Sequence, residues 1–125
     1  MILDTCAVLW LAFNREKFSK DTLKQIDRCE NLFISTMSFW EIGIKIQKKK
    51  LEIPMELREF IRLYSANAAV TLVPPDLEII LLTLELPWSH GDPVDRIVVA
   101  TAMKYDTKLV TGDAEMMKFY PKSVL

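Results

Sequence analysis

The sequence predicts an α/β fold in which helices flank a mainly parallel sheet of four or five strands. Short runs of β-type residues alternate with longer helical segments along the chain, an order typical of parallel strands joined by helical crossovers. With only three glycines and no Gly/Ser-rich linker, the chain offers few flexible joints. Half of the residues are hydrophobic, which suffices for a substantial core. We therefore expect a single domain spanning residues 1–125.

Short runs rich in Ile, Leu, Val, Phe or Thr have the length and composition of buried strands. A last run at the C-terminus is expected to form an edge strand. The predicted strands, in chain order, are residues 2–4, 32–35, 70–73, 108–111 and 122–125.

Longer segments with helical periodicity or helix-start signals separate these strands. The predicted helices are residues 5–13, 19–30, 37–50, 55–68, 76–86, 93–105 and 114–119. The β-branched run Ile97-Val98-Val99 could be mistaken for a strand. Asp92 and Pro93 precede it, and they suit the N-cap and the first position of a helix. We therefore assign this run to a buried helix.

The composition excludes several classes of protein. Sixteen basic residues against 17 acidic ones give a net charge of −1, so a nucleic-acid ligand would need a local basic patch. Cys6 and Cys29 are not spaced as a metal-binding pair, and His90 is the only histidine, so zinc lacks its usual ligands. The apolar stretch 7–13 lacks a preceding basic region and is far shorter than the ~20 residues of a membrane span. We expect a reduced, cytoplasmic protein that is neither exported nor membrane-inserted.

Four acidic residues lie at or near predicted helix starts: Asp4, Glu41, Asp95 and Asp113. Each has a structural explanation, because such positions suit N-caps, a capping box (SFWE, residues 38–41) or a charge that meets the helix dipole. In a parallel sheet, however, the carboxyl ends of the strands share one edge, where functional sites lie. Carboxylates gathered there would repel by ~4 kcal/mol per pair at about 4 Å, and a divalent cation would relieve this repulsion. Ligands with oxygen donors alone suit Mg²⁺ or Mn²⁺.

Four strings contain these acids: ILDTCAVLW with Asp4, ISTMSFWEIGIK with Glu41, HGDPVDRIVVATA with Asp95, and LVTGD, which ends at Asp113. They resemble the motifs of PIN-domain proteins, and specifically of the VapC-type ribonuclease toxins of bacterial and archaeal toxin-antitoxin pairs. Each string alone is common, but together their order and spacing cover essentially the whole chain. The resemblance implies a PIN-like three-layer sandwich around the central sheet.

The resemblance also assigns roles to residues. The family's metal-binding acids carry over onto Asp4, Glu41, Asp95 and Asp113. Thr5 and Thr111 match polar positions that line the family's site, and Asp92 matches an acid that we interpret as a helix cap with a supporting role. The chain departs from the family in its very short first strand and in Val94, where the toxins often carry Phe. Neither departure changes a catalytic group.

The activity implied by the resemblance is endonucleolytic cleavage of RNA. One or two Mg²⁺ or Mn²⁺ ions on the acids would activate a water molecule and neutralise charge on the scissile phosphate. As the only histidine, His90 cannot supply the paired acid and base of metal-free RNA cleavage, and we assign it to loop hydrogen bonding. The resemblance further implies a homodimer and a small cognate antitoxin that covers the acidic groove, with Arg matching the carboxylates, in a bacterial or archaeal cytoplasm.

Binding of RNA would require positive charge near these acids. Lys45 and Lys48 fall on the same helix face as Glu41, with Lys49 adjacent. Arg96 is a further candidate for binding phosphate or for a structural ion pair. The lysines are also compatible with a solvated helix face, on which a pair between Glu41 and Lys45 contributes only a few tenths of a kcal/mol.

The apolar residues of the same helix predict which side is buried. Phe39, Ile42 and Ile46 share the face opposite the lysines. Large aromatic residues are usually buried on average. We therefore assign the tryptophans to the core: Trp10, Trp40 and Trp88.

Other classes of protein share parts of this pattern. A phosphotransferase of the haloacid-dehalogenase type needs a second acid two residues after Asp4, where Cys6 stands. A receiver domain needs an adjacent acid pair after the first strand, and Leu3-Asp4-Thr5 supplies one acid. A catalytically silent PIN-like domain that binds RNA or protein, and a PIN nuclease of RNA processing, remain alternatives to the toxin. The intact acids argue against the silent domain, and the near-minimal chain with HGDPVDR favours the toxin.

Overall fold

A fully parallel five-stranded sheet forms the centre of the structure, a computed structural model that describes residues 1–125. The strands are β1 (Ile2–Leu3), β2 (Leu32–Ser35), β3 (Val70–Val73), β4 (Leu109–Val110) and β5 (Ser123–Val124). Their order in the sheet is β3-β2-β1-β4-β5. Leu3 lies opposite Ile34 on one side and Val110 on the other. The short strand β1 is therefore the central strand of the sheet.

Helices cover both faces of this sheet. They are α1 (Thr5–Phe13), α2 (Lys20–Asp27), α3 (Thr36–Gln47), α4 (Leu57–Ser65), α5 (Leu77–Glu85), α6 (Pro93–Lys104) and α7 (Ala114–Phe119). Because successive strand residues point to opposite faces, Leu3 packs with Phe39 and Phe60 of α3 and α4, whereas Ile2 packs with Val98 and Met116 of α6 and α7. The helix–sheet–helix layers confirm the predicted α/β fold.

All predicted strands and helices are present, and the differences lie at their ends. The helix predicted at residues 37–50 begins at Thr36 and ends at Gln47, and that predicted at 55–68 is the shorter Leu57–Ser65. A 3-10 turn at Arg15–Lys17 was not predicted. The run Ile97-Val98-Val99 is helical and buried, as expected from its cap.

The C-terminus of α3 closes through a left-handed residue. Lys49 has a φ of 56°; its N–H donates to the carbonyl of Ile46 (3.0 Å), and the N–H of Lys50 donates to the carbonyl of Lys45 (2.9 Å). These two hydrogen bonds form a Schellman motif. The motif turns the chain so that Lys50 returns beside the last turn of α3.

The parallel order of the strands collects several helix starts at one edge of the sheet. α1 follows β1 directly at Thr5, and α3 follows β2 directly at Thr36. α7 begins at Ala114, shortly after β4. α6 ends just before β4 begins, so its first turn, at Pro93, lies at the same edge. The residues that start these helices are therefore brought together.

Gly112→Ala is expected to destabilise the protein by about 1–3 kcal/mol, the usual range for overpacking. A Cβ at this position would lie 2.6 Å from Cη2 of Trp10 and 2.9 Å from its Cζ3, so the indole, which packs edge-on against Phe18, would have to move. Urea unfolding measures the change in the free energy of unfolding.

The matched control is Gly91→Ala, whose added Cβ would meet no atom within 4 Å. This variant should keep wild-type stability or gain a few tenths of a kcal/mol. Equal effects of the two substitutions would show that the close approach of Trp10 to Gly112 does not limit stability.

Candidate functional site

The centre of the candidate site is Asp4, whose carboxylate lies at the end of β1 and is 4% exposed. Its Oδ1 accepts a hydrogen bond from the N–H of Ala7 (2.6 Å) and so caps α1. Its Oδ2 accepts a hydrogen bond from Thr111 Oγ1 (2.5 Å) on the segment after β4. The same hydroxyl accepts from the N–H of Asp113 (3.0 Å). Thr111 therefore ties two of the predicted metal ligands together.

Neighbouring carboxylates act on Asp4 through their charge. Burial, together with the charges of Asp95 and Asp113, raises the pKa of Asp4 to about 6, against the lowering effect of its hydrogen bonds. Burial likewise raises the pKa of Asp95, and the carboxylates of Asp92 and Glu41 add to this rise. The structure thus brings the predicted acids into one electrostatically coupled cluster.

Asp95 has a partner that the sequence did not reveal. Its Oδ2 lies 2.7 Å from Nε2 of His90, and this hydrogen bond raises the pKa of the imidazole. The imidazole ring stacks on Trp88 at 4.6 Å, and Trp88 stacks on Phe119 of α7 at 4.8 Å. His90 is therefore a neighbour of the site and not only a loop residue. No sequence periodicity connects His90 to Asp95, because a loop and a helix start separate them.

Asp92 and Asp113 are the N-caps of α6 and α7. Asp92 Oδ1 accepts from the N–H groups of Val94 (2.9 Å) and Asp95 (3.2 Å), and Asp113 Oδ1 accepts from the N–H of Met116 (2.9 Å). The capping role predicted for Asp92 is confirmed. The hydrogen bonds also fix the first turn of α6, which carries Asp95.

The capping box predicted at residues 38–41 is wrong. The N-cap of α3 is Ser35, three residues before Ser38, and its side chain accepts from the N–H of Met37 (3.3 Å). Glu41 lies in the second turn with a side chain that is 16% exposed, and its nearest cation is Lys45 Nζ at 3.9 Å. The carboxylate of Glu41 is thus not used to start the helix.

Two buried hydroxyl groups beside the acids have no hydrogen-bond partner: Thr5 Oγ1 and Ser38 Oγ. Thr5 follows Asp4 at the start of α1, and Ser38 lies one turn before Glu41. An unpaired buried hydroxyl typically costs about 1–3 kcal/mol, and coordinated water is one partner that would satisfy it. The oxygen-only donor set and these hydroxyl groups fit a hydrated Mg²⁺ or Mn²⁺ ion.

The acidic side chains are not arranged around a common position for a metal ion. No three His, Cys, Asp or Glu side chains are placed to ligate one metal. Asp4, Asp95 and Asp113 are each held by a hydrogen bond with a different local partner. Ligation by the cluster therefore requires rotation of carboxylates whose positions are otherwise set by the helix starts.

The cationic residues predicted to bind RNA are of two kinds: lysines on or just after α3, and an arginine that is engaged by backbone carbonyls. Lys48 and Lys49 are exposed at the end of α3, and Lys45 is half-buried on the same helix. Arg96 donates instead to the carbonyl oxygens of Thr83, Trp88 and His90. Its guanidinium holds the loop before α6 and forms no ion pair with a carboxylate. Binding of phosphate by Arg96 stays a prediction.

The three tryptophans differ in their burial. Trp10 and Trp88 pack against the buried clusters, as predicted. Trp40 is 55% exposed, so its assignment to the core is wrong. The reason is that α3 buries Phe39 and Ile42, and a residue directly after Phe39 points roughly 100° away around the helix.

No helix in this structure combines the length and the apolar composition that a membrane span requires.

Comparison with known proteins adds family and fold relationships. A family model described as PIN domain matches residues 1–120. Ribonuclease VapC22 of Mycobacterium tuberculosis is 20% identical over 117 residues, which cover 93% of this chain and 88% of that protein. A toxin-antitoxin complex from Klebsiella pneumoniae contains a chain with 17% identity and a TM-score of 0.68, covering 99% of this chain and 95% of that one. VapBC2 from Rickettsia felis, bound to a DNA fragment from its promoter, contains a chain with 13% identity, a TM-score of 0.70 and the same coverage.

Asp4→Asn is expected to stabilise the metal-free protein. The pKa of Asp4 is raised from its usual value near 3.8 to about 6, so folding opposes ionisation of this carboxyl. The destabilisation is absent below about pH 4, grows until about pH 6 and is complete above it. Because a shift of two pKa units corresponds to about 3 kcal/mol, the variant should exceed wild type by up to that amount at pH 8 and by little at pH 4. Urea titrations in EDTA measure this difference.

Asp21→Asn, which removes an exposed carboxylate of α2, is the matched control. It should change the free energy of unfolding by less than ~0.5 kcal/mol at either pH. A variant at Asp4 that is no more stable than wild type at pH 8 would contradict the cost inferred for ionising this buried carboxyl beside other acids.

Proposed function

This chain belongs to the PIN-domain family, and we propose that it is a metal-dependent endoribonuclease that hydrolyses RNA phosphodiester bonds as the toxin of a toxin-antitoxin pair. The observation that carries the proposal is the cluster around Asp4, a carboxyl that is 4% exposed and whose pKa is raised chiefly by burial and in addition by the charges of Asp95 and Asp113. Such crowding is unfavourable for the fold alone, and binding of a divalent cation would make it favourable.

The residues that would hold one or two ions are Asp4, Asp95, Asp113 and Glu41, the last directly or through water. A bound Mg²⁺ or Mn²⁺ lowers the pKa of a coordinated water and neutralises charge on the scissile phosphate. The chain itself orients the ligands. Thr111 holds Asp4 by a hydrogen bond, and the imidazole of His90 holds Asp95. The N-cap at Asp92 sets the helical turn from which Asp95 projects.

The toxin assignment is supported by the relatives. VapC22 is named a ribonuclease, and the similar solved structures are toxin-antitoxin complexes. We propose that a small cognate antitoxin covers the acidic groove and presents Arg to its carboxylates, since guanidinium binds carboxylate bidentately. The free thiols of Cys6 and Cys29 are compatible with a reducing bacterial or archaeal cytoplasm.

A homodimer is also part of the proposal. Leu77, Leu81 and Leu84 lie along one side of α5 and are 73%, 49% and 76% exposed. Their spacing places them in a single apolar stripe. Contiguous exposed apolar surface of this kind is typical of protein–protein contacts.

Purified protein is expected to cleave RNA in Mg²⁺ or Mn²⁺ and to lose this activity in EDTA, because the acids alone cannot activate water. Gel analysis of end-labelled RNA measures cleavage beside the Asp113→Asn variant, which should be inactive. Asp21→Asn is again the control and should be fully active. Equal cleavage by wild type and Asp113→Asn would point to a contaminating nuclease and remove the proposal.

Growth arrest on expression, relieved by a small neighbouring gene, would separate a toxin from a nuclease of RNA processing.

Asp92 and Asp95 should respond differently to substitution. Asp92→Ala removes the N-cap of α6 and should lower the free energy of unfolding by ~1 kcal/mol while retaining measurable cleavage. Asp95→Asn should remain folded and lose more than about 100-fold in cleavage rate, beyond the 10–100-fold loss typical of groups that only support a ligand. Thermal unfolding and initial cleavage rates measure the two effects. The opposite pattern would mean that the roles of these acids have been exchanged.

A further inference from the structure

Trp40 is an exposed aromatic residue beside the acidic cluster. It directly precedes Glu41 on α3, and 55% of its surface is accessible. Indole rings combine a large apolar face with a polar N–H, and they are common in binding sites for this reason. No packing role explains the position of this side chain, because Phe39 and Ile42 provide the buried face of α3.

A cleft of about 260 Å³ connects Trp40 to both basic and acidic residues. Its lining includes Trp40 and Glu41, the lysines 45, 48 and 50, and Asp92 at the start of α6. The carboxylate of Asp92 is already engaged by the N–H groups that it caps. Because Glu41 belongs to the candidate metal centre, the cleft extends from the lysines at the end of α3 to that centre.

The lysines reach this cleft for two reasons. Lys45 and Lys48 are one turn apart on α3, and the Schellman motif returns Lys50 to the same place through its hydrogen bond to the carbonyl of Lys45. Lys45 has a distant ion pair with Glu41 at 3.9 Å. Lys48 and Lys50 have no acidic partner within 4.0 Å. In a chain of net charge −1, this is a local surplus of positive charge.

We propose that this cleft is a subsite for single-stranded RNA, in which one base stacks on Trp40 while Lys48 and Lys50 bind neighbouring phosphates. The inference rests on the proposed ribonuclease function and adds residues outside the acidic cluster that would hold the RNA strand. An aromatic platform beside unpaired cations is the usual means of holding single strands, because every base offers a π-face and every phosphate a charge. A base in a duplex is already stacked and cannot reach the indole. A base can therefore occupy this subsite only where the RNA is unpaired.

The test measures RNA affinity in the Asp95→Asn background, where the RNA stays intact. The probe is a fluorescein-labelled single-stranded RNA of about ten nucleotides, titrated in Mg²⁺ and followed by anisotropy. Trp40→Ala should weaken binding by roughly 5- to 150-fold, the range expected for loss of one stacked base. Trp40→Phe should keep most of the affinity, because the aromatic face remains, yet lose part of the RNA-induced quenching of tryptophan fluorescence. Binding of a duplex of the same sequence should not depend on Trp40.

The lysines provide an independent measurement. Lys48→Gln and Lys50→Gln should each reduce the slope of log affinity against log salt by about 0.7, as expected for one phosphate contact on a single strand. Lys20→Gln on α2, an exposed lysine in another part of the fold, should leave the slope unchanged. These variants retain Trp40, so they test the subsite even if Trp40→Ala fails to fold.

Three outcomes distinguish failure of the subsite from failure of the ribonuclease function on which it rests. If the active protein cleaves RNA but Trp40→Ala binds within twofold of its parent, the subsite is overturned and the ribonuclease proposal stands. If the protein neither binds nor cleaves RNA, both proposals fail. Loss of binding to an antitoxin peptide on Trp40→Ala substitution, with RNA affinity unchanged, would assign the cleft to a protein partner and also overturn the subsite.

Discussion

The hydrogen bond from Thr111 to Asp4 is the contact on which the candidate site depends. It joins the segment after β4 to the end of β1, and it places the Asp4 carboxylate where little water reaches it. The same hydroxyl accepts from the N–H of Asp113. One side chain thus fixes the relative positions of two acids that are far apart in the sequence. Its effect is possible only because β1 and β4 are neighbours in the sheet.

In this protein, carboxylates that cap helices are also among the proposed metal ligands. Asp4 and Asp113 each satisfy backbone N–H groups at a helix start with one oxygen and leave the other directed elsewhere. A cap leaves its side chain little conformational freedom, so the carboxylates are held near one another, although no three of them are placed to ligate one metal without rotation. Burying Asp4 and crowding it with other carboxylates opposes folding, because both raise its pKa. Sites of this kind commonly trade stability for chemistry.

The loop before α6 supports the same site from the other side. Arg96 binds three carbonyl oxygens of residues 83–90, and the rings of Phe119, Trp88 and His90 stack in sequence. This stack ends at the hydrogen bond between His90 and Asp95. Asp95 is therefore held by the helical turn below it and by an aromatic support beside it. Pre-ordering of this kind limits the reorganisation needed when a ligand binds.

The sequence by itself determined the local structure, because caps, apolar spacing and strand runs act over a few residues. It placed all strands and helices and identified Asp4, Glu41, Asp95 and Asp113 as a set, partly through a family resemblance. It could not reveal the pairing of His90 with Asp95, the use of Arg96 by loop carbonyls, or the exposure of Trp40. These depend on which elements become neighbours. Only the strand order β3-β2-β1-β4-β5 and the packing of α3 and α6 against it decided them, since contacts between distant residues are set by tertiary packing and not by local preference.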